Sequence, residues 1–350
     1  MNVYFKKDYP KYLVLEIGAD RKNDIKDICE YIKPDIAVVT AFAKYPVHIE
    51  NFKDKDELIR EKRYLIEAIK DNGKLIYNCE CPDTIKMIQD AKNEGTLSPN
   101  IDIYSYGINV GDVFVNNIIN SIEDKNVSCK VIINDDENKR EEDIVLDSVF
   151  GEAAILSSLP GIMITKLLNL KIKNTIQSLR VMRRAPGRMR LLDGQNNITI
   201  IDDTYNSSPI AVENGLKTLR EIKVANPYIN IITILGDMME LGDMSMQAHN
   251  DIGKAVSKSY IDKLIVVGIR SKEVKSSAIE NGLTEKNIYE YTDSTEASNN
   301  IMNILSEMFN KRDIIIYIKG SQSMRMERIV RTLLDNSLDP NEYLVRQEKE

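Results

Sequence analysis

Tryptophan is absent from this 350-residue chain and phenylalanine is scarce, with six residues. Ile, Leu, Val and Tyr must therefore build the interior. Only two histidines occur, His48 and His249. The four cysteines are Cys29, Cys79, Cys81 and Cys129. Cys79-Glu80-Cys81 is too tight for a Cys-x-x-Cys zinc half-site and has no matching pair, so a zinc module is excluded. Reduced structural thiols in a cytoplasmic protein are the expectation. No apolar run approaches the roughly 20 residues of a membrane helix, and residues 1–12 carry no apolar signal core. Membrane insertion is not expected. Positive charge is not in excess: 47 Lys and Arg against 54 Asp and Glu leave −7. With no basic face, a nucleic-acid partner is not expected either. A phosphate-binding G-x-x-x-x-G-K-[ST] string is also missing. Gly73-Lys74 and Gly253-Lys254 lack both the first glycine and the hydroxyl residue. There is no internal repeat or low-complexity tract.

What is present reads as a folded α/β protein, with 43% hydrophobic and 29% charged residues. The length suggests two domains of roughly 100–200 residues. Residues 12–17, ending at Gly18, read as a buried strand. A helix is expected at about 23–32, stopped by Pro34, and a strand at 35–40. A helix over 55–71 ends at Asn72-Gly73, and a strand follows at 74–77. This βαβαβ order predicts parallel pairing. Residues 84–94 read as helical, and 101–146 as an antiparallel extension. Residues 149–183 read as two or three helices broken by Pro160-Gly161. After residues 184–187 the alternation restarts. Strands at about 197–202, 230–235, 263–268, 287–291 and 313–318 alternate with helices at about 209–225, 246–258, 271–281, 294–310 and 323–335. That is a second doubly wound unit. The boundary is expected near residue 184, giving domains 1–184 and 185–338 and a loosely packed tail at 339–350.

The chemistry gathers in residues 186–209, PGRMRLLDGQNNITIIDDTYNSSP. A turn carries Arg188, a strand ends in Asp202-Asp203, and the loop through Tyr205 and Asn206 closes on Ser208-Pro209, a helix start. Ligands of open α/β sheets bind at such strand ends. Asp202-Asp203 alone reads more readily as an ordinary strand with a polar turn. Three positions in the first half stand out. Glu16 would sit inside the first strand, where a carboxylate needs a partner such as magnesium, or at an exposed strand end. His48 follows the second strand, as a ligand or as a satisfied loop residue. Lys62 lies on the next helix, which by charge pattern is a solvated face.

The string from Pro186 to Pro209 resembles the Mur ligase family, and within it the branch that adds D-alanyl-D-alanine to a UDP-muramoyl peptide. Leu15-Glu16-Ile17-Gly18-Ala19, the segment ending in His48-Ile49-Glu50, Gly236–Gly242 through His249, and Lys319–Glu327 match that branch in order. The resemblance implies a mostly parallel but incomplete central domain and a Rossmann-like C-terminal domain. It implies ATP-dependent amide bond formation through an acyl phosphate, with ATP and Mg2+ as cofactors, in cell-wall precursor synthesis. Glu16, His48 and a carbamoylated Lys62 would be the metal ligands, with Lys62 and His48 catalytic. Arg188, Asp203 and Asn206 would hold ATP. Tyr205, Asp237, Glu240, Lys319 and Ser321 would shape the substrate pocket. The pattern departs at Glu61, which replaces an alanine, and at Glu80, which replaces an aspartate. It departs again at residues 146–154, where an H-N-x-x-N segment is expected. The family's UDP-binding N-terminal domain and its P-loop are expected to be missing together. The chain would then be a fragment or half-enzyme working with a separate P-loop chain, or a non-catalytic binding subunit. A polyglutamate-adding ligase fits the matched segments less well.

Overall fold

A computed structural model describes residues 10–46, 49–134, 139–306, 308 and 313–346. The first lobe begins with α1 (Asp24–Tyr31), β1 (Ile36–Val39), α2 (Lys55–Glu67), β2 (Lys74–Asn78) and α3 (Pro82–Asn93). Four strands follow, β3 (Asp102–Ile108), β4 (Val113–Ser121), β5 (Asn126–Asn134) and β6 (Lys139–Asp147), then α4 (Glu152–Leu167) and α5 (Ile172–Arg180). One sheet runs in the order β1-β2-β3-β4-β5-β6. It is parallel from β1 to β4 and antiparallel from β4 to β6. The first two strands of the stretch read as an antiparallel extension, β3 and β4, therefore join the sheet in parallel, and antiparallel pairing starts only between β4 and β5.

Two expectations fail here. Residues 12–17 form no strand and are not buried: Leu13 is 81% and Val14 92% exposed. β1 is the sheet edge, and no described strand lies beyond it to receive this apolar run. The Pro160-Gly161 break is also absent, because α4 runs straight through. A proline inside a helix removes one backbone hydrogen bond. Burial of Ile155, Leu159, Ile162 and Met163 against the sheet outweighs that loss.

The second lobe follows the sequence closely. It comprises β7 (Arg190–Asp193), β8 (Ile198–Asp203), α6 (Pro209–Ala225), β9 (Asn230–Gly236) and α7 (Ser245–Ser257). It continues through β10 (Lys263–Val267), α8 (Lys272–Glu280), β11 (Ile288–Tyr291), α9 (Ser294–Ser306), β12 (Ile314–Lys319) and α10 (Glu327–Leu333). The sheet order is β11-β10-β9-β12-β8-β7, parallel except for β7. β12, IIIYIK, is buried along its whole length, as a central parallel strand requires. Its register sets Lys319 beside Asp203 of β8.

The stretch after residue 338 is not loosely packed where it is described. Asp339 caps α11 (Pro340–Tyr343), Leu344 is buried in the second lobe's core, and the Arg190 guanidinium stacks on the Tyr343 ring.

Candidate functional site

A cleft of about 390 Å³ opens at the C-terminal end of β8. Gly151, Ala153, Ala154 and Arg184 line it from one side, and Arg188, Tyr205, Asn206, Ser207 and Ser208 from the other. Lys319 and Asp203 form part of its wall. Five residues singled out in the sequence are thus brought together: Arg188, Asp203, Tyr205, Asn206 and Lys319.

The turns are held by the strand's own carboxylates. The Gly187 amide donates to Asp202 Oδ2 (3.0 Å) and the Met189 amide to Asp203 Oδ1 (3.1 Å). The Tyr205 amide donates to the Gly187 carbonyl (2.9 Å). Gly187 has φ of 71°, and a Cβ there would lie 2.7 Å from the Tyr205 nitrogen. Only glycine fits that approach. The next residue, Arg188, stacks its guanidinium 4.1 Å from the Tyr205 ring centroid.

The electrostatics favour an anion. Arg184, Arg188 and Lys319 face a single lining carboxylate, Asp203. Two long helices also begin here. α4 starts after Gly151 and α6 after Ser208, and neither cap residue satisfies the first-turn amides with its side chain. Unpaired amides and the helix dipole make such termini anion sites. Ser207 is buried and its hydroxyl has no hydrogen-bond partner among the described residues. Sequence reasoning overlooked Arg184, Ser207 and the start of α4. The missing signal was three-dimensional, since only the fold brings α4 to α6.

Lys319 is less free than a substrate ligand should be. It is buried, pairs with Asp203 Oδ2 at 2.7 Å and donates to the Asn206 carbonyl at 2.9 Å. Tyr317 donates its hydroxyl to the same Asp203 oxygen (3.2 Å). Lys319 and Asp203 therefore brace β8 to β12 in this structure.

The other candidates lie elsewhere. Asp237 is buried and accepts the Ser271 amide (2.8 Å), which fastens β9 to the start of α8. Ser321 is buried, accepts the Met239 amide and donates its own amide to the Asp237 carbonyl. His249 accepts the Met238 amide on Nε2, and burial pushes its pKa down. Asp237, Ser321 and His249 lock a turn rather than line the cleft. Glu240 is exposed beside them with φ of 62°.

In the first lobe, Glu16 is exposed rather than buried in a strand, so it lacks the enforced need for a partner. His48 lies outside the described residues. Lys62 is half-buried with its ammonium 5.6 Å from the Phe42 ring centroid, and burial lowers its pKa. It is thus not on a fully solvated face. Among the described residues no group of three His, Cys, Asp or Glu could hold a metal ion. All four cysteines are free. No described helix is long and apolar enough to cross a membrane.

The family model described as Mur ligase middle domain matches residues 3–141, and that described as Mur ligase, glutamate ligase domain matches 187–322. The chain belongs to the Mur ligase family. Its relatives include the UDP-N-acetylmuramoyl-tripeptide–D-alanyl-D-alanine ligase of Bacillus subtilis, 22% identical over 93% of this chain and 65% of the relative. The protein of the same name from Buchnera aphidicola is 27% identical over 93% of this chain and 64% of its own length. Among solved structures, the MurF ligase of Thermotoga maritima in complex with ADP superposes with a TM-score of 0.72 at 19% identity, over 90% of this chain and 65% of that one. MurF from Acinetobacter baumannii also gives 0.72, at 20% identity, over 90% and 62%. This Mur ligase chain thus spans about two thirds of the length of the proteins it matches.

Proposed function

We propose that this chain forms the middle and C-terminal part of an ATP-dependent amide ligase that joins D-alanyl-D-alanine to a UDP-N-acetylmuramoyl tripeptide. The reading rests on one observation: three cations and two uncapped helix starts converge on the Arg188–Tyr205 cleft of a chain from this family. Its relatives' names supply the substrates. A cytoplasmic location and a divide between the two domains near residue 184 go with it.

A bound nucleotide would supply an activating phosphoryl group. The chain's own residues fit its phosphates. Arg188 and Arg184 offer planar donor forks, which suit phosphate, and the amides at the starts of α4 and α6 add fixed dipoles. The Tyr205 ring presents a face for stacking and holds Arg188 in place. For Mg2+, the resemblance names Glu16, His48 and a carbamoylated Lys62. His48 lies outside the described residues, and no role proposed here is routed through the metal.

The exposed Tyr12–Leu15 run and the open edge of β1 support a further component: a strand from polypeptide outside these 350 residues, carrying a phosphate-binding loop. Among the described residues the outer edge of β1 has no strand partner, and an unpaired parallel edge is a site for strand addition. A non-catalytic binding subunit is the second reading. It is favoured by the Asp203–Lys319 pair, already satisfied internally, and by Leu146–Ala154, which lacks the expected asparagines.

The test is binding of ADP by the purified chain, followed by assay with ATP, Mg2+, UDP-N-acetylmuramoyl tripeptide and D-alanyl-D-alanine, with and without a P-loop chain. Ligated product in the mixture is the expected result. ADP binding without product under any mixture favours the second reading. Absence of ADP binding removes both.

A further inference from the structure

The loop that carries Tyr205 is held from two directions. On one side the Gly187 carbonyl accepts the Tyr205 amide, and Arg188 stacks on the ring. On the other side stands Arg346, about 140 residues later and away from the cleft lining. Its Nη2 donates to the Thr204 carbonyl (2.7 Å) and its Nη1 to the Tyr205 carbonyl (3.3 Å). The same Nη2 pairs with Glu327 Oε2 at 2.9 Å. Glu327 is buried and is also paired with Arg325.

Arg346 is in turn anchored through its own segment. Leu344 is buried in the second lobe's core, and the Arg190 guanidinium lies 4.5 Å from the Tyr343 ring centroid. The guanidinium is mostly covered, with 17% of the side chain exposed. A covered, charged fork that donates to two successive carbonyls fixes both peptide planes. A flexible lysine ammonium cannot span them in that way.

We propose that Arg346 is a positioning residue for the ligand cleft. It fixes the Thr204–Tyr205 peptide, and through the Tyr205 ring it fixes the guanidinium of Arg188. It touches no ligand itself. The inference rests on the nucleotide reading of the cleft for its consequence, but its local part stands apart from that reading.

Two measurements on the full chain separate the parts. Hydrogen exchange of the peptide covering residues 203–208, without ligand, reads the local part. Isothermal titration with ADP reads the consequence. Arg346→Ala is expected to raise exchange at Tyr205 and to weaken ADP binding about tenfold, the effect of losing about one well-placed hydrogen bond to the ligand. Arg346→Lys keeps the Glu327 pair and is expected to fall between. Glu342→Ala, at an exposed ion pair of the same segment, controls for general loosening and is expected to change neither. Unchanged exchange in Arg346→Ala overturns the proposal whatever the ligand does. Raised exchange with unchanged ADP affinity overturns its consequence for the cleft. If the native chain binds no ADP, the nucleotide reading fails, and exchange alone decides the role of Arg346.

Discussion

Asp202 and Asp203 are neighbours in sequence and opposites in environment. Asp203 meets a lysine, a tyrosine hydroxyl and one amide. Asp202 is wholly buried, meets only Gly187 and Thr204, and is pushed up to about 6 chiefly by burial. Its proton is bound more tightly in the folded than in the unfolded chain. Its contribution to stability is therefore full below the ordinary pKa of 3.8 and is lost as pH rises through about 6. The stability difference between the native chain and Asp202→Asn should shrink by up to about 3 kcal/mol from about pH 4 to about pH 7, read by urea unfolding. A difference that stays flat would place the titration elsewhere. Glu61 shows the same discipline. It is buried, and its two oxygens accept the amides of Asn23, Ile25 and Lys26 at the start of α1. That accounts physically for the glutamate where the family pattern has alanine. Glu61→Ala should cost about 2 kcal/mol and Glu61→Gln about half of that, because one acceptor oxygen remains. Equal costs for both would mean that the carboxylate acts only by filling space.

At the scale of elements, α4 meets α6 at a point that tolerates no side chain. Gly151 has φ of 96°, and a Cβ would lie 2.5 Å from Thr218 Oγ1. Gly151→Ala should destabilise the chain by about 2–3 kcal/mol, combining backbone strain with overpacking. Thr218→Ala in the same chain should recover the packing part and leave the strain, so a double-mutant cycle in urea separates the two. Full recovery would mean that backbone conformation costs nothing there. The contact also explains what could be read from the sequence. Most of the second lobe was legible because β8, β9, β10 and β12 are largely apolar runs alternating with amphipathic helices, whereas the four-residue β7, RLLD, carries too little apolar pattern to be read. β8 and α6 fell where Ile198–Asp203 and Ser208-Pro209 placed them. Residues 12–17 misled because an apolar run becomes a strand only where its backbone pairs, and among the described residues this one pairs with none. Pro160 misled because packing of α4 on the sheet outweighs one lost hydrogen bond. The cleft was half legible: Arg188, Asp203 and Tyr205 lie within one stretch of sequence. Arg184, Ser207 and Arg346 acquire their roles only when distant segments meet.

Across the whole molecule, the question is what couples the lobes. Lys217–Glu152 and Lys125–Asp193 cross between them, but both lysines are about half exposed, and such pairs contribute roughly 0–1 kcal/mol each. The loop after β1 makes the stronger link. Tyr45 leaves its own lobe and joins the buried cluster that contains Leu241, Ala248 and Ile252. Its hydroxyl donates to Asp251 Oδ2 on α7 (2.7 Å), and Lys44 pairs with the same oxygen (2.8 Å). The hydrogen bonds from Lys44 and Tyr45 hold the Asp251 carboxyl well below the usual carboxylate range. Its contribution is therefore present above the ordinary carboxylate pKa and is lost only in stronger acid, so coupling should not change between about pH 5 and about pH 8. A buried ring outweighs exposed charges. Tyr45→Ala should cost about 3 kcal/mol, and Asp251→Asn, which leaves the ring seated, clearly less. Calorimetry should show a single transition for the native chain, at low and at high salt, and a split or broadened one for Tyr45→Ala. If Asp251→Asn or added salt splits the transition as readily, charge rather than the aromatic ring joins the lobes.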